Sequence, residues 1–131
     1  MKLVPVAICL AMLAPGAMAQ STESAEICQQ IANRTNSKAP IRSNPSVVLQ
    51  EVRCNQTNGA TEITYRYVFE EINNQAADNR AGKRIGRQVQ KLFCDEDEKA
   101  HEVLKLLNVR VTLENATGGP MGSHAFGLSD C

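Results

Sequence analysis

The chain has 131 residues, and its 14 Lys and Arg side chains balance 14 Asp and Glu side chains. This balance argues against nonspecific nucleic-acid binding, which requires a basic surface. Trp is absent and aromatic residues make up 4% of the chain, so we do not expect a stacking platform for bases or sugars.

The first 19 residues have the pattern of a secretory signal peptide. Lys2 gives a positive start, LVPVAICLAML is an apolar core, and AMA at 17–19 is a small-x-small cleavage site. The apolar run is shorter than the roughly 20 residues that span a bilayer, so no stable membrane span is expected. We predict a signal peptide at 1–19, a single domain at 20–131, and a periplasmic or secreted location. Lipidation at Cys9 is the alternative, although Ile8 is larger than the residue that such sites prefer.

The first half of the predicted domain contains a helix and two strands. Residues 21–36 predict a helix with a narrow apolar stripe, and two prolines in SKAPIRSNPS end it. SVVLQEVRCN at 46–55 predicts a strand, and Asn58-Gly59 after it predicts a hairpin turn. TEITYRYVFEE then alternates strictly, which predicts a strand with one buried face and one wet face. The buried positions are Thr61, Ile63, Tyr65, Tyr67 and Phe69.

A second helix is predicted at about 78–94, with Ile85, Val89, Leu92 and Phe93 on its apolar face. Gly82 and Gly86 weaken this helix or allow another element to approach closely. Its other faces carry basic residues, which could bind an acidic partner or lipid headgroups. The alternative is a solvated face balanced by the acidic residues of 96–102. The basic residues are Arg80, Lys83, Arg84, Arg87 and Lys91.

Four acidic residues follow Cys94. We predict that Asp95 caps a short helix at 96–107 and that the other three occupy its first turn, where the helix dipole favours negative charge. A calcium site is the less favoured interpretation, because calcium loops place oxygen ligands at alternate positions around a glycine turn. NVRVTLEN and SHAFGLSDC, separated by the turn ATGGPMG, predict the last two strands.

The element order α-β-β-α-α-β-β predicts an α+β fold. We expect a two-layer sandwich in which two hairpins form an antiparallel four-stranded sheet, with the helices on one face.

Cleavage at 19 would leave four cysteines, Cys28, Cys54, Cys94 and Cys131. An even number in a small exported domain indicates two disulfides, for which three pairings exist. The order of the elements favours 28–54 and 94–131, because each bridge would then tie a helix to the sheet that it covers. A bridged Cys94 could serve neither as a nucleophile beside His101 nor as a metal ligand.

No catalytic motif stands out. Ser123 and His124 are adjacent in a strand, where neighbouring side chains point to opposite faces. Neither a glycine-rich phosphate loop nor a C-x-x-C motif occurs. We therefore expect no enzymatic activity, no cofactor and no metal.

Several motifs resemble a known family. APIRS precedes the first strand, NG joins two strands, and a basic amphipathic helix ends in KLFCD; VLKLLNVRVTLEN and a terminal SDC follow. From about Pro40 to Cys131 this pattern resembles the β-type pilotins of bacterial type II secretion, small α/β proteins that bind the secretin. In that family the last two cysteine positions form a disulfide, which corresponds to Cys94–Cys131. The chain departs from the family in Cys28, Cys54 and the missing lipidation motif.

The resemblance implies that a partner's amphipathic helix, as in a secretin, lies between the helices and the sheet. Ile85, Val89 and Leu92 would line that groove, with Arg84 and Arg87 on its rim, although the apolar residues would serve equally well as core. We predict a non-catalytic periplasmic protein-binding module, a pilotin-like chaperone of an envelope or secretion component. The alternatives are an envelope enzyme inhibitor or immunity protein that inserts the loop TGGPMGSH, and a hydrolase with an unrecognised site.

Overall fold

A computed structural model describes the backbone of residues 15–70 and 79–131, and within these ranges the side chains from residue 23 onward. The predicted signal peptide and Cys9 lie outside the described residues, except for residues 15–19, which begin the first helix. The division between signal peptide and domain therefore stays a prediction.

The helices and strands follow one another in the order α-β-β-β-α-α-β-β. A π-helical turn, Leu92–Glu96, follows the second helix, and a 3₁₀ turn, Leu128–Asp130, follows the last strand. The helices are α1 (Pro15–Asn36), α2 (Arg80–Lys91) and α3 (Glu98–Val103); the strands are β1 (Ile41–Asn44), β2 (Val47–Thr57), β3 (Ala60–Phe69), β4 (Asn108–Asn115) and β5 (Pro120–Phe126).

Within the described residues, five strands form one mixed sheet in the order β1-β2-β3-β4-β5. Strand β3 runs parallel to β4, and the other neighbours are antiparallel. The expected α+β class is confirmed, whereas the four-stranded antiparallel sheet was wrong. Helices α2 and α3 connect β3 to β4, and such a helical crossover returns the chain in the same direction. Strand β1 was not predicted because it is too short to show an alternating pattern. It has four residues between two prolines, and of these Ile41 alone is partly buried.

The helices cover one face of the sheet. Its core positions include the buried side chains of Ile63, Val109 and Val111, and α1 adds Cys28 and Ala32. Phe93, in the π turn, packs edge-on between the rings of Tyr65 and Phe126 at centroid distances of 6.2 and 5.7 Å. The alternation predicted for β3 thus does place its apolar side chains in the core.

The opposite face of the sheet carries ion pairs. Arg66 in β3 pairs with Glu51 of β2 (3.2 Å) and with Glu114 of β4, and Arg110 pairs with Glu62 at 3.2 Å. These side chains are partly exposed, so each pair contributes little to stability. These charged side chains nevertheless distinguish the solvent-exposed face of the sheet from the face that the helices cover.

The hairpin turn between β2 and β3 has the backbone conformation that its sequence predicts. Asn58 and Gly59 have φ values of 52° and 81°, the left-handed conformation of the predicted two-residue hairpin turn.

The predicted N-cap of α3 was wrong. Asp97 Oδ1, rather than the Asp95 side chain, accepts hydrogen bonds from Lys99 N (3.0 Å) and Ala100 N (3.2 Å). The π turn keeps Asp95 helical, and Asp97 is the residue with the extended backbone that an N-cap needs. Helix α3 therefore starts later than predicted.

Two disulfides link the described elements. Cys28 of α1 pairs with Cys54 of β2, and Cys94 of the π turn pairs with Cys131. These are the pairs that the order of the elements favours. Cys131 follows the 3₁₀ turn rather than ending a strand.

Candidate binding surface on helix α2

Two glycines determine how closely α2 approaches the sheet. Gly82 and Gly86 lie one turn apart, and both are buried. A Cβ built on Gly82 would overlap the carbonyl oxygen of Gly122, and one built on Gly86 would overlap Cβ of His124. The backbone of α2 therefore rests directly on β5, which is the close approach that the two glycines allow.

This contact orients the other faces of α2. At 100° per residue, Ile85 and Val89 lie near the glycine face. Both are half-buried and pack against the main core, and Ile85 also packs against a second cluster formed by Val47, Leu113 and Met121. The basic residues point away from the sheet and are exposed.

A cleft of about 300 Å³ opens between α2 and the ends of β2, β3 and β4. Its walls combine apolar and polar side chains, and the exposed Arg84 stands at its border. We call it the α2 cleft. Its apolar side is formed by Val47, Phe69, Ala81, Ile85 and Leu113, and its polar side by Asn44, Ser46, Arg84 and Gln88.

The five predicted binding residues do not line one groove. Arg84 and Ile85 border the α2 cleft, whereas Arg87 borders a separate cleft of about 330 Å³ together with His124 and Asp130. Val89 faces the core, and Leu92 begins the π turn with 42% of its surface exposed.

The strand residues of the α2 cleft were not predicted as a site. Val47, Phe69 and Leu113 occupy the apolar positions of three strands, which the alternation signals as core. They meet at one end of the sheet because β4 pairs with β3 in parallel. Alternation within a strand indicates which face of the sheet a side chain occupies, but it does not indicate which strand ends lie next to one another.

The basic side chains of α2 differ from those of the sheet. Each arginine in the strands forms an ion pair: Arg42 with Glu70, Arg53 with Glu51, Arg66 with Glu51 and Glu114, and Arg110 with Glu62. In the part of the chain that the structure describes, Lys83, Arg84, Arg87 and Lys91 form none. The acidic residues at 95–102 thus do not neutralise them by direct contact.

The residues considered for catalysis are engaged elsewhere or isolated. Cys94 is in a disulfide, and Nδ1 of His101 is buried without a hydrogen-bond partner. His124 Nε2 donates a hydrogen bond to Gln90 Oε1 at 2.6 Å, and its ring stacks on Phe126. In residues 15–70 and 79–131, no group of three or more His, Cys, Asp or Glu side chains is placed to hold a metal ion.

The segment 117–124 is not a protruding loop. Residues 120–124 belong to β5 and pair with β4. The short turn before them is held by Asn115 Oδ1, which accepts hydrogen bonds from Thr117 N (3.0 Å) and Gly119 N (2.7 Å). Among the helices described, none combines the length and apolar character needed to cross a membrane.

Solved structures share this fold. The proposed secreted protein PA3611 of Pseudomonas aeruginosa aligns with a TM-score of 0.66 at 13% identity, over 86% of this chain and 96% of its own. The type II secretion pilotin EpsS of Vibrio vulnificus aligns with a TM-score of 0.64 at 10% identity, over 86% and 96%. The pilotin AspS of Vibrio cholerae aligns with a TM-score of 0.63 at 15% identity, over 88% and 100%.

Neither a protein-family model nor a curated protein matches the sequence. The resemblance to type II secretion pilotins, suggested by the motifs, is confirmed as a resemblance of fold. At these identities the likeness does not extend to individual residues of a site.

Proposed function

We propose that this protein is a non-catalytic module of the bacterial envelope that holds an apolar segment of another envelope protein in the α2 cleft. The observation that carries the proposal is an open cleft with an apolar side formed by strands and α2, on a fold that type II secretion pilotins share. Arg84 at its border makes no ion pair within the described residues.

The dimensions of the α2 cleft suit a side chain better than a small molecule. Its 300 Å³ is at the lower limit of ligand pockets, which span about 300–1,000 Å³. One Leu or Phe of a partner that entered it would gain about 1.5–3 kcal/mol from burial. A partner helix supplies such anchors at every third or fourth residue, and the next anchors would lie along α2.

Arg84 would set the orientation of the bound segment. Its guanidinium is exposed and makes no ion pair within the described residues. A carboxylate beside the apolar anchor of the partner would therefore meet a free cation at the border of the cleft. Such rim charges affect the association rate and the register more than the affinity.

The disulfides support an envelope location. Cys28–Cys54 and Cys94–Cys131 are typical of proteins in an oxidising compartment, such as the periplasm or the exterior of the cell. The predicted signal peptide points to the same place. The resemblance to β-type pilotins suggests an amphipathic helix of a secretin as the partner.

The inhibitor or immunity-protein alternative loses the feature on which it depended. The segment 117–124 is largely a paired strand and does not project for insertion into an enzyme cleft. The hydrolase alternative likewise required a free thiol near His101, and Cys94 is in a disulfide.

The proposal can be tested with two matched variants. Ala81→Phe places a ring in the α2 cleft, whereas Ala125→Phe adds the same ring on exposed β5 surface. We expect the unmodified protein and Ala125→Phe to bind an outer-membrane secretin and a peptide that carries one of its amphipathic helices. Ala81→Phe should bind both roughly tenfold more weakly or worse, as measured by calorimetry, which corresponds to about 1.4 kcal/mol. Equal binding by the two variants would show that the cleft is not the site. Selective capture of a soluble hydrolase would instead support the inhibitor alternative.

A further inference from the structure

We propose that α2 also carries a membrane-surface site: its outward side chains bind the phosphate groups of anionic lipids and hold the protein flat against an envelope membrane. The residues that form this basic stripe are Lys83, Arg84, Arg87 and Lys91. The stripe shares Arg84 with the border of the α2 cleft, but it does not require a protein partner.

The arrangement of the stripe is compact. On an ideal helix the four side chains fall within an arc of about 100° and extend over about 12 Å, with Arg80 in the same arc. All are exposed, and α2 contains no acidic residue. Four cations thus face the solvent from one side of a rigid helix.

Within the described residues the stripe makes no ion pair, in contrast to the arginines of the sheet. The formal charge of the whole chain is zero, and each arginine of the sheet has a carboxylate partner. Asp95 borders the same cleft as Arg87 and Lys91, yet forms no ion pair with either. The described residues thus place four cations without an ion pair together on α2, and an anionic surface would orient the molecule as well as attract it.

The composition of the stripe favours a lipid surface over an acidic protein. Protein interfaces concentrate their binding energy in a central apolar or aromatic anchor surrounded by a polar rim. The outward arc of α2 has no apolar side chain, because Ile85 and Val89 face the core. An anionic membrane needs no such anchor, and guanidinium groups bind phosphate oxygens in a bidentate manner.

The packing of α2 also determines the kind of contact. Its apolar face is covered by β5 through Gly82 and Gly86, so the helix cannot roll over and insert into the bilayer. Binding would be peripheral, driven by charge, and therefore reversed by salt. Each Lys or Arg near an anionic membrane strengthens such binding by about fivefold.

The test uses the full chain, purified and mixed with vesicles of phosphatidylcholine alone or of phosphatidylcholine with phosphatidylglycerol. The variant Lys83→Gln/Lys91→Gln removes half of the stripe and leaves Arg84 and Arg87 in place. Lys38→Gln/Lys99→Gln removes the same charge from exposed positions outside α2. Both sets retain any contribution from the N-terminal apolar run, and thermal unfolding followed by circular dichroism checks that each variant is folded.

We expect binding to the anionic vesicles at low salt, release at high salt, and roughly thirtyfold weaker binding for the stripe variant than for the control variant. Equal binding by the two variants, or salt-insensitive binding to both kinds of vesicle, would overturn the proposal. Binding to polyglutamate without binding to anionic vesicles would also overturn it and would assign the stripe to an acidic protein.

Discussion

Gly82 of α2 and Gly122 of β5 meet backbone to backbone, with no side chain between them. Gly122 has a φ of 107°, in the region that favours glycine, and a Cβ at this position would overlap the carbonyl oxygen of Asn79. The start of α2 and the middle of β5 thus interlock through two residues that both need to be glycine. The position of the basic stripe and of the α2 cleft depends on this contact.

The substitution Gly82→Ala should destabilise the fold even though alanine is the better helix former. Helix propensity alone would stabilise α2 by about 1 kcal/mol. The added methyl group meets backbone atoms that cannot move aside, and overpacking of this kind costs about 1–3 kcal/mol. Urea unfolding should show a net loss of stability. Lys83→Ala, at the next residue but on the exposed face of α2, should change the free energy of unfolding by no more than about 0.5 kcal/mol. An increase in stability for Gly82→Ala would contradict the close contact.

The two disulfides should differ in their reactivity toward a reductant. Cys28 has no exposed surface, whereas Cys131 lies in the exposed segment after the 3₁₀ turn. Limited reduction of the native protein should therefore open Cys94–Cys131 first. Alkylation followed by peptide mapping assigns the modified positions and separates them from Cys9. Simultaneous opening of both bridges under native conditions would argue against this difference in access.

The two tyrosines of the chain should ionise at unusually high pH. Burial raises the pKa of Tyr65 to about 12, with a smaller contribution from the charge of Tyr67. Burial also raises the pKa of Tyr67, opposed by a hydrogen bond with Ser43. In an unfolded chain both would titrate near pH 10. Tyrosinate absorbance of the native protein should consequently rise well above that pH, and Tyr65→Phe and Tyr67→Phe should assign the two steps.

This titration has a consequence for stability. The folded state retains tyrosine protons that the unfolded state has already released, so the unfolded state binds fewer protons above pH 10. Stability from these groups is complete below about pH 10 and decreases as the pH rises toward 12. Chemical denaturation across this window should show a falling midpoint, and Tyr65→Phe should make the fall shallower. An unchanged midpoint would mean that the rings are more hydrated than their positions indicate.

Capping of α3 distinguishes two neighbouring aspartates. Asp97→Ala removes the acceptor for the amides of Lys99 and Ala100 and should cost about 1 kcal/mol. Asp95→Ala, which removes an equal charge from the π turn, should change stability by no more than about 0.5 kcal/mol. Urea unfolding of the two variants provides the comparison. A larger effect at Asp95 would favour the cap that the sequence predicted.

The features that the sequence predicted well are those set by neighbouring residues. Strict alternation located β3, and NVRVTLEN coincides with β4, because both strands bury one face. Asn58-Gly59 predicted its turn because few other residue pairs adopt two consecutive left-handed conformations. The cap of α3 was misplaced by two residues, since a π turn after α2 has no signature in residue spacing.

The candidate site was only half predictable for a different reason. Arg84 and Ile85 could be found from the helical pattern of α2. Phe69 and Leu113 join them through the parallel register in which Phe69 lies beside Asn115 and Tyr67 beside Leu113. That register depends on the crossover between strands, which a pattern within one segment does not encode.

The parallel contact between β3 and β4 divides the chain into an earlier part with Cys28–Cys54 and a later part with Cys94–Cys131. Neither bridge crosses from one part to the other, so among the described residues the two parts are joined along that line without a covalent link, by backbone hydrogen bonds, side-chain packing and the ion pairs Arg66–Glu114 and Arg110–Glu62. Under mechanical force or in denaturant, we expect the contact between β3 and β4 to separate first. Each disulfide would still close its own loop and so restrict the conformations of the part that contains it.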